Sequence, residues 1–112
     1  MADFEIIEHR LTAYTLFEVT GEIHANNHQD FYRPLRREVF RRDIVLDLSR
    51  VSNISSSGIG ALISLVENGQ EAQRQVFILK PSEIVQMMLD SSGCSDCFVV
   101  IQELKDIAGK ER

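Results

Sequence analysis

The chain has 112 residues, 44% of them hydrophobic and 26% charged, and a formal net charge of -5. That length fits one domain with its own core; no apolar run approaches a membrane span, and the acidic start Met1-Ala2-Asp3-Phe4-Glu5 lacks the basic-then-apolar pattern of a secretory leader, so a single soluble cytoplasmic domain is expected. The negative charge argues against nucleic acid as the main partner, and two cysteines are too few for a disulfide framework.

Phe4-Glu5-Ile6-Ile7-Glu8 and Ala13-Tyr14-Thr15-Leu16-Phe17-Glu18-Val19 read as two strands, the second more buried because aromatic and β-branched residues run through it. Arg10-Leu11-Thr12 is short enough for a hairpin, and Gly21-Glu22-Ile23-His24 ends the second strand. Between Ala25 and Arg42, Phe31, Leu35 and Val39 recur at helical spacing. Pro34 conflicts with that helix, which is predicted either to start near Asp30 or to bend there. Arg36, Arg37, Arg41 and Arg42 crowd its second half, where cations suit the helix dipole.

Ile44 to Leu48 is a buried strand, followed by the polar loop Asn53-Ile54-Ser55-Ser56-Ser57-Gly58 and a helical face of Ile59, Leu62, Ile63 and Val66 that Gly69 is expected to close. Gln75 to Leu79 is a further buried strand. Pro81-Ser82 introduces a helix facing inward through Ile84, Val85, Met88 and Leu89, which stops around Ser91-Ser92-Gly93. Phe98 to Ile101 is the last strand, Gln102 to Ala108 a marginal terminal helix, and Gly109 to Arg112 is expected to fray. From Ala13 onward strands alternate with helices. The pattern predicts an α/β domain: a mixed, mostly parallel sheet of about five strands with about four helices, joined by right-handed βαβ crossovers.

The three serines stand where the central helix begins. A hydroxyl there caps free backbone N–H groups, and the positive end of the helix dipole suits an anion or a phosphoserine. Capping is a serine's commonest use at such a place, so these residues alone leave both readings open.

Taken in order, several stretches resemble the STAS domain, the module shared by sulfate transporters and anti-sigma factor antagonists. Gly21-Glu22-Ile23 is similar to its Gly-Glu-Leu, and Ile44-Val45-Leu46-Asp47-Leu48 to its central strand. Ile54-Ser55-Ser56-Ser57-Gly58-Ile59-Gly60 resembles its Asp-Ser-Ser-Gly-Leu-Gly phosphorylation loop, and Leu89 with Ser92-Gly93 its late Leu-x-x-Ser-Gly turn. The resemblance covers about Phe4 to Leu104 and is closer to stand-alone bacterial antagonists than to transporter tails.

The resemblance implies a non-catalytic protein that binds an anti-sigma factor, usually a serine kinase, and so frees a sigma factor. It places the phosphate on Ser56, with Ser57 the second choice, and implies a serine phosphatase that restores binding. The partner-binding residues it points to are Glu22, His24, Ser55, Ser56, Ser57, Gly58 and Ile59, with no cofactor, metal, nucleic acid or membrane insertion. Two positions depart from the family pattern: Ser55 stands where the loop aspartate is usual, and His24 where an acidic residue often follows Gly-Glu-Leu. A scaffold or accessory STAS subunit in a signalling or transport complex is the competing implication, which the lost aspartate favours.

A phosphate on Ser56 would add about -1.5 to -2 charges and three acceptor oxygens, held by nearby N–H groups without unfolding the helix. A partner packed there would meet buried charge, at several kcal/mol unless paired. Gly58 and Gly60 are expected to keep this surface low, so that another backbone approaches closely.

Other constellations carry less. Cys94-Ser95-Asp96-Cys97 precedes a strand rather than opening a helix, and packing thiols are expected over redox or metal use. His9, His24 and His28 show no paired ligand spacing. His24, His28 and Asp30 lack a nucleophile or oxyanion site beside them, so an acid–base centre is not expected. Glu22 and His24 fall at a strand's C-terminal end, the side of the serine loop. The arginines from Arg33 to Arg42 suit a solvated helix face better than a grip on an acidic partner. A Walker-type phosphate loop would need a Gly-Lys-Ser/Thr that is absent.

Overall fold

Strand β1 (Phe4–Arg10) and strand β2 (Tyr14–Ile23) form the opening hairpin of a computed structural model that describes residues 3–107. They pair antiparallel, with Ile6 opposite Val19. Helix α1 (His28–Val39), strand β3 (Asp43–Ile54), helix α2 (Ser56–Ala72), strand β4 (Val76–Leu79), helix α3 (Glu83–Asp90) and strand β5 (Val99–Ile101) follow. The five strands lie in the order β1-β2-β3-β4-β5, and β2 to β5 run parallel. Each crossover moves one strand further in the same direction, which puts all three helices on one face.

Alternation within β3 divides its side chains between two cores. Ile44, Leu46 and Leu48 join Phe31, Leu35, Val39, Leu62, Leu65, Val85 and Leu89 under the helices. Val45 points the other way and packs with Phe77, Leu79, Ile101 and Ile107. β4 is buried along its whole length, as a central parallel strand should be.

Several boundaries differ from the sequence expectation for local reasons. α1 starts at His28 and runs through Pro34. The bond Pro34 cannot donate falls to the carbonyl of exposed Asp30, which water can serve. Gly69 does not end α2; the helix continues to Ala72, and Gln73 terminates it with φ of 59°. Gly69 is instead a packing position. A Cβ there would stand 3.0 Å from the Arg74 carbonyl, and Arg74 N donates back to Gly69 O at 2.7 Å. The terminal helix reduces to a 3-10 turn, Leu104–Asp106, and Ala108 lies outside the described residues.

The edge of the sheet at the start of β2 and β3 is locked by a polar cluster. Glu38 is 5% exposed and accepts from Thr15 Oγ1 at 2.6 Å and from Arg10 at 3.1 and 3.2 Å. Arg42 donates to the carbonyls of Tyr14, Leu11 and Thr12 and to Thr15 Oγ1. Arg42 therefore belongs to the hairpin clamp, not to the exposed arginine face of α1.

Candidate functional site

At the opposite end of the sheet, β2 and β3 finish side by side. Ile23 pairs with Ile54, and Ser55 N donates to Ile23 O at 2.8 Å. The chain then turns directly into α2. Ser55, extended at φ -87° and ψ 175°, is its N-cap, with Oγ accepting from Gly58 N at 3.3 Å. Capping therefore falls to Ser55 alone. Ser56, the first helical residue, is exposed, and its hydroxyl has no hydrogen-bond partner among the described residues. The first turn of α2 carries no acidic side chain. Its positive end is thus uncompensated, and an added anion there would be stabilised.

Two shallow grooves flank this helix start. The first lies between α1 and α2, holds about 370 Å³, and is lined in equal parts by polar and apolar surface from His28, Gln29, Tyr32, Ser57 and Ser64, with Gly60 and Ala61. Asn68 Nδ2 donates to Tyr32 Oη at 2.6 Å and ties its two walls together. The second lies between α2 and α3, holds about 400 Å³, and is more apolar: Ile59, Ile63 and Met88, with Ser56, Gly60, Ser91 and Ser92. Ser56 thus borders the apolar groove and Ser57 the polar one, with Gly60 common to both.

The two glycines expected to lower this surface have separate places. Gly58 is buried, and a Cβ on it would come within 2.5 Å of Ile54 Cγ1 and 2.9 Å of Ile23 Cγ2. It lets α2 sit down on the strand ends. Gly60 is exposed, and a Cβ on it would meet nothing within 4 Å. Ile59 is 5% exposed, so it offers only the edge of its side chain to the apolar groove.

Glu22 and His24 stand at the same sheet end. Glu22 is exposed and in register with Asn53. Gly21 before it has φ of 110°, and a Cβ there would overlap the Asp3 carbonyl, so this step of the chain requires glycine. His24 Nδ1 accepts from Asn26 N at 3.1 Å, which leaves the proton on Nε2 to donate to Asp3 at 2.6 Å. Asn27 Oδ1 accepts from His24 N at 2.8 Å and Asn27 Nδ2 donates to Glu22 O at 3.0 Å, so the loop into α1 is internally bonded. His28 Nδ1 contacts Ala25 O at 3.0 Å, and its ring lines the polar groove. His28, Tyr32, Ser64, Ile63, Met88, Ser91 and Ser92 were not singled out as site residues from the sequence. Their helical spacings read only as stripes until the three helices are laid side by side.

No group of three or more metal-ligating side chains occurs among the described residues. The cysteines depart from expectation: Cys94 and Cys97 are joined in a disulfide, not held as separate packing thiols. A two-residue spacing followed by a 3-10 turn brings their Cα atoms to 5.4 Å, within bridging range.

A one-sided α/β sheet thus presents a serine-bearing helix start between two grooves, with an exposed hydroxyl at its tip. The STAS domain family matches residues 4–107, and the chain belongs to that family. Solved structures agree on the fold. An anti-sigma factor antagonist from Mycobacterium paratuberculosis is 19% identical, covers 97% of this chain and 94% of its own, and superposes with a TM-score of 0.81. The Bacillus cell-fate determinant SpoIIAA in its phosphorylated form is 16% identical, covers 95% and 99%, and gives 0.71. SLC26A9 gives 0.73 at 16% identity, matching 94% of this chain and only 20% of its own. Among curated proteins none matches the chain by sequence.

Proposed function

We propose that this STAS domain is an anti-sigma factor antagonist acting in the bacterial cytoplasm. An anti-sigma factor, itself a serine kinase, docks across the start of α2 and releases its sigma factor. The kinase transfers the terminal phosphoryl group of ATP to Ser56 Oγ; ADP leaves, the hydroxyl proton is lost, and the complex separates. A serine phosphatase hydrolyses the ester and restores docking. The observation that carries this reading is the division of labour between neighbouring serines: Ser55 makes the cap, while the Ser56 hydroxyl is exposed and unengaged.

The energetics follow from the site. Free N–H groups and the uncompensated dipole receive the phosphate without disturbing α2. The same phosphate stands at the rim of the apolar groove formed by Ile59, Ile63 and Met88. Desolvating that charge under a partner costs several kcal/mol, and ~3 kcal/mol already weakens affinity about a hundredfold. Glu22, His24, Ser57 and the groove walls extend the docking face, and Gly58 and Ile59 support it from beneath. Purified chain mixed with its cognate kinase and ATP should gain one phosphate, mapped to Ser56 by mass spectrometry, and should lose the complex seen without ATP. No phosphate on Ser56 and no stable complex reject the proposal.

A second reading, a non-catalytic scaffold or accessory subunit of a signalling or transport assembly, is favoured by one observation. Ser55 replaces the loop aspartate, so no carboxylate adjoins the accepting hydroxyl. On this reading the chain runs in a larger native complex whose affinity is unchanged by Ser56→Asp.

A further inference from the structure

We infer that Cys94 and Cys97 form a reversible thiol–disulfide exchange site, which sets the wall of the apolar groove beside Ser56. The bridge closes the turn Cys94–Cys97 between α3 and β5. Two features set it apart from a structural staple. It encloses a very short ring, with two residues between the cysteines, where restriction of the unfolded chain stabilises little. Both flanks are also anchored without it. On one side Ser91 Oγ donates to Met87 O at 2.8 Å and Ser92 Oγ to Leu89 O at 2.7 Å, closing α3. On the other, Phe98 is buried and Val99 to Ile101 pair with β4. The fold therefore stays closed when the bond opens.

The bond is also within reach of solvent. Both cysteines are half-buried; Cys97 packs against the main core while Cys94 opens the turn, and the attack is therefore assigned to Cys94 Sγ. The co-reactant is a dithiol. Its thiolate attacks Cys94 Sγ, a mixed disulfide forms, and the Cys97 sulfur leaves as thiolate and takes a proton. The second thiol of the reductant, as thiolate, attacks its own sulfur in the mixed disulfide and releases Cys94, which is protonated in turn. The protein disulfide gains two electrons and two protons, and the dithiol becomes a disulfide. The reverse exchange with an oxidised dithiol rebuilds the bond.

The link to the groove is contiguous. Cys94 N donates to Ser92 Oγ at 3.1 Å, the same oxygen that donates to the last turn of α3. Ser91, Ser92 and Met88 are groove wall, facing Ser56, Ile59 and Ile63. With the bridge closed, Cys94 is held where it orients Ser92. With it open, that restraint is gone and the wall loosens at Ser92, where it meets the turn.

The test needs no partner protein, so it stands or falls separately from the antagonist reading. The purified full chain is equilibrated in reduced/oxidised dithiothreitol mixtures, thiols are trapped with a maleimide, and intact mass is read. Zero or two adducts are expected, interconverting without denaturant, with an unchanged far-ultraviolet circular dichroism spectrum. Amide hydrogen exchange should rise at least tenfold over residues 92–97 on reduction, while the Glu38 cluster at the far end stays unchanged. Cys94→Ser should show the reduced pattern in every buffer; because Cys97 packs against the core, Cys97→Ser is not relied on. Thiols that stay free in oxidised dithiothreitol, a bond that opens only in denaturant, loss of the fold on reduction, or equal exchange in both forms would each overturn the inference.

Discussion

Gly58 and Gly60 provide the sharpest test of how the helix start is built, because the same substitution is expected to act with opposite sign two residues apart. At Gly60 an added Cβ meets no atom within 4 Å, and the position lies inside α2. The only change is in backbone freedom, and alanine is favoured over glycine in a helix by about 0.5–1 kcal/mol. Gly60→Ala should therefore stabilise the domain by that amount and raise Tm by about 2–5 °C. At Gly58 the same methyl would stand 2.5 Å from Ile54 Cγ1 and 2.9 Å from Ile23 Cγ2, both in fully buried side chains that have nowhere to swing. Overpacking of this kind costs about 1–3 kcal/mol and outweighs the helix gain, so Gly58→Ala should lose stability. The helix gain is common to both variants and cancels, so urea unfolding fitted with a common slope should separate them by about 1–3 kcal/mol. A neutral Gly58→Ala, or a destabilised Gly60→Ala, would refute the assignment of one glycine to packing and the other to surface. Gly60→Trp extends the test to docking. Its ring fills the saddle between the two grooves without touching the core, so the fold should persist while partner affinity falls at least tenfold.

Three further outcomes check other parts of the molecule. Ser55→Ala removes the N-cap of α2 and should cost ~1 kcal/mol in thermal or chemical unfolding, whereas Ser56→Ala, which removes no hydrogen bond, should change stability by less than about 0.5 kcal/mol. Glu38→Ala leaves the buried Thr15 Oγ1 without its acceptor and releases the exposed Arg10, and should cost about 1–3 kcal/mol, with faster exchange across the β1–β2 hairpin but not at the serine end. Gly21→Ala must hold alanine at φ of 110° against the Asp3 carbonyl, and should destabilise by more than 1 kcal/mol.

How much of this was legible in the sequence differs by level. The alternation of strands and helices follows from hydrophobic period alone, because β4 and the stretch Ile44 to Leu48 of β3 are almost wholly apolar and α1 keeps Phe31, Leu35 and Val39 on one stripe. The mixed sheet follows from connection length: a short loop before β2 and helical crossovers after it. What failed was punctuation. Pro34 lies inside α1 and Gly69 inside α2, since tertiary contacts, not local propensity, decide whether a breaker breaks. The serine knuckle was legible because helix starts have a local signature. The grooves were not, because their walls come from three helices whose adjacency depends on the sheet order. The disulfide was missed for a related reason. A Cys-x-x-Cys spacing permits a bridge, but only the 3-10 turn at Ser95–Cys97 brings the sulfurs together.

The neighbouring hydroxyls Ser56 and Ser57 make the docking proposal more specific than a phosphate somewhere on the loop. They sit on opposite sides of the α2 ridge: Ser56 at the rim of the groove with Ile59, Ile63 and Met88, Ser57 half-buried beside His28, Gln29 and Tyr32. Charge introduced at Ser56 borders Ile59, Ile63 and Met88, with only the hydroxyls of Ser91 and Ser92 to offset the water that a docked partner would strip. Charge at Ser57 borders a histidine ring, an amide and a phenol, which can supply donors in return. If partner residues seat in the apolar groove, Ser56→Asp should weaken the complex at least tenfold and Ser57→Asp markedly less, with both variants folded. Isothermal titration against the purified anti-sigma factor reads this directly. Equal losses would mean that the partner spans the ridge and reads total charge. A larger loss at Ser57 would move the docking face to the α1 side and remove the reason for placing the phosphate on Ser56.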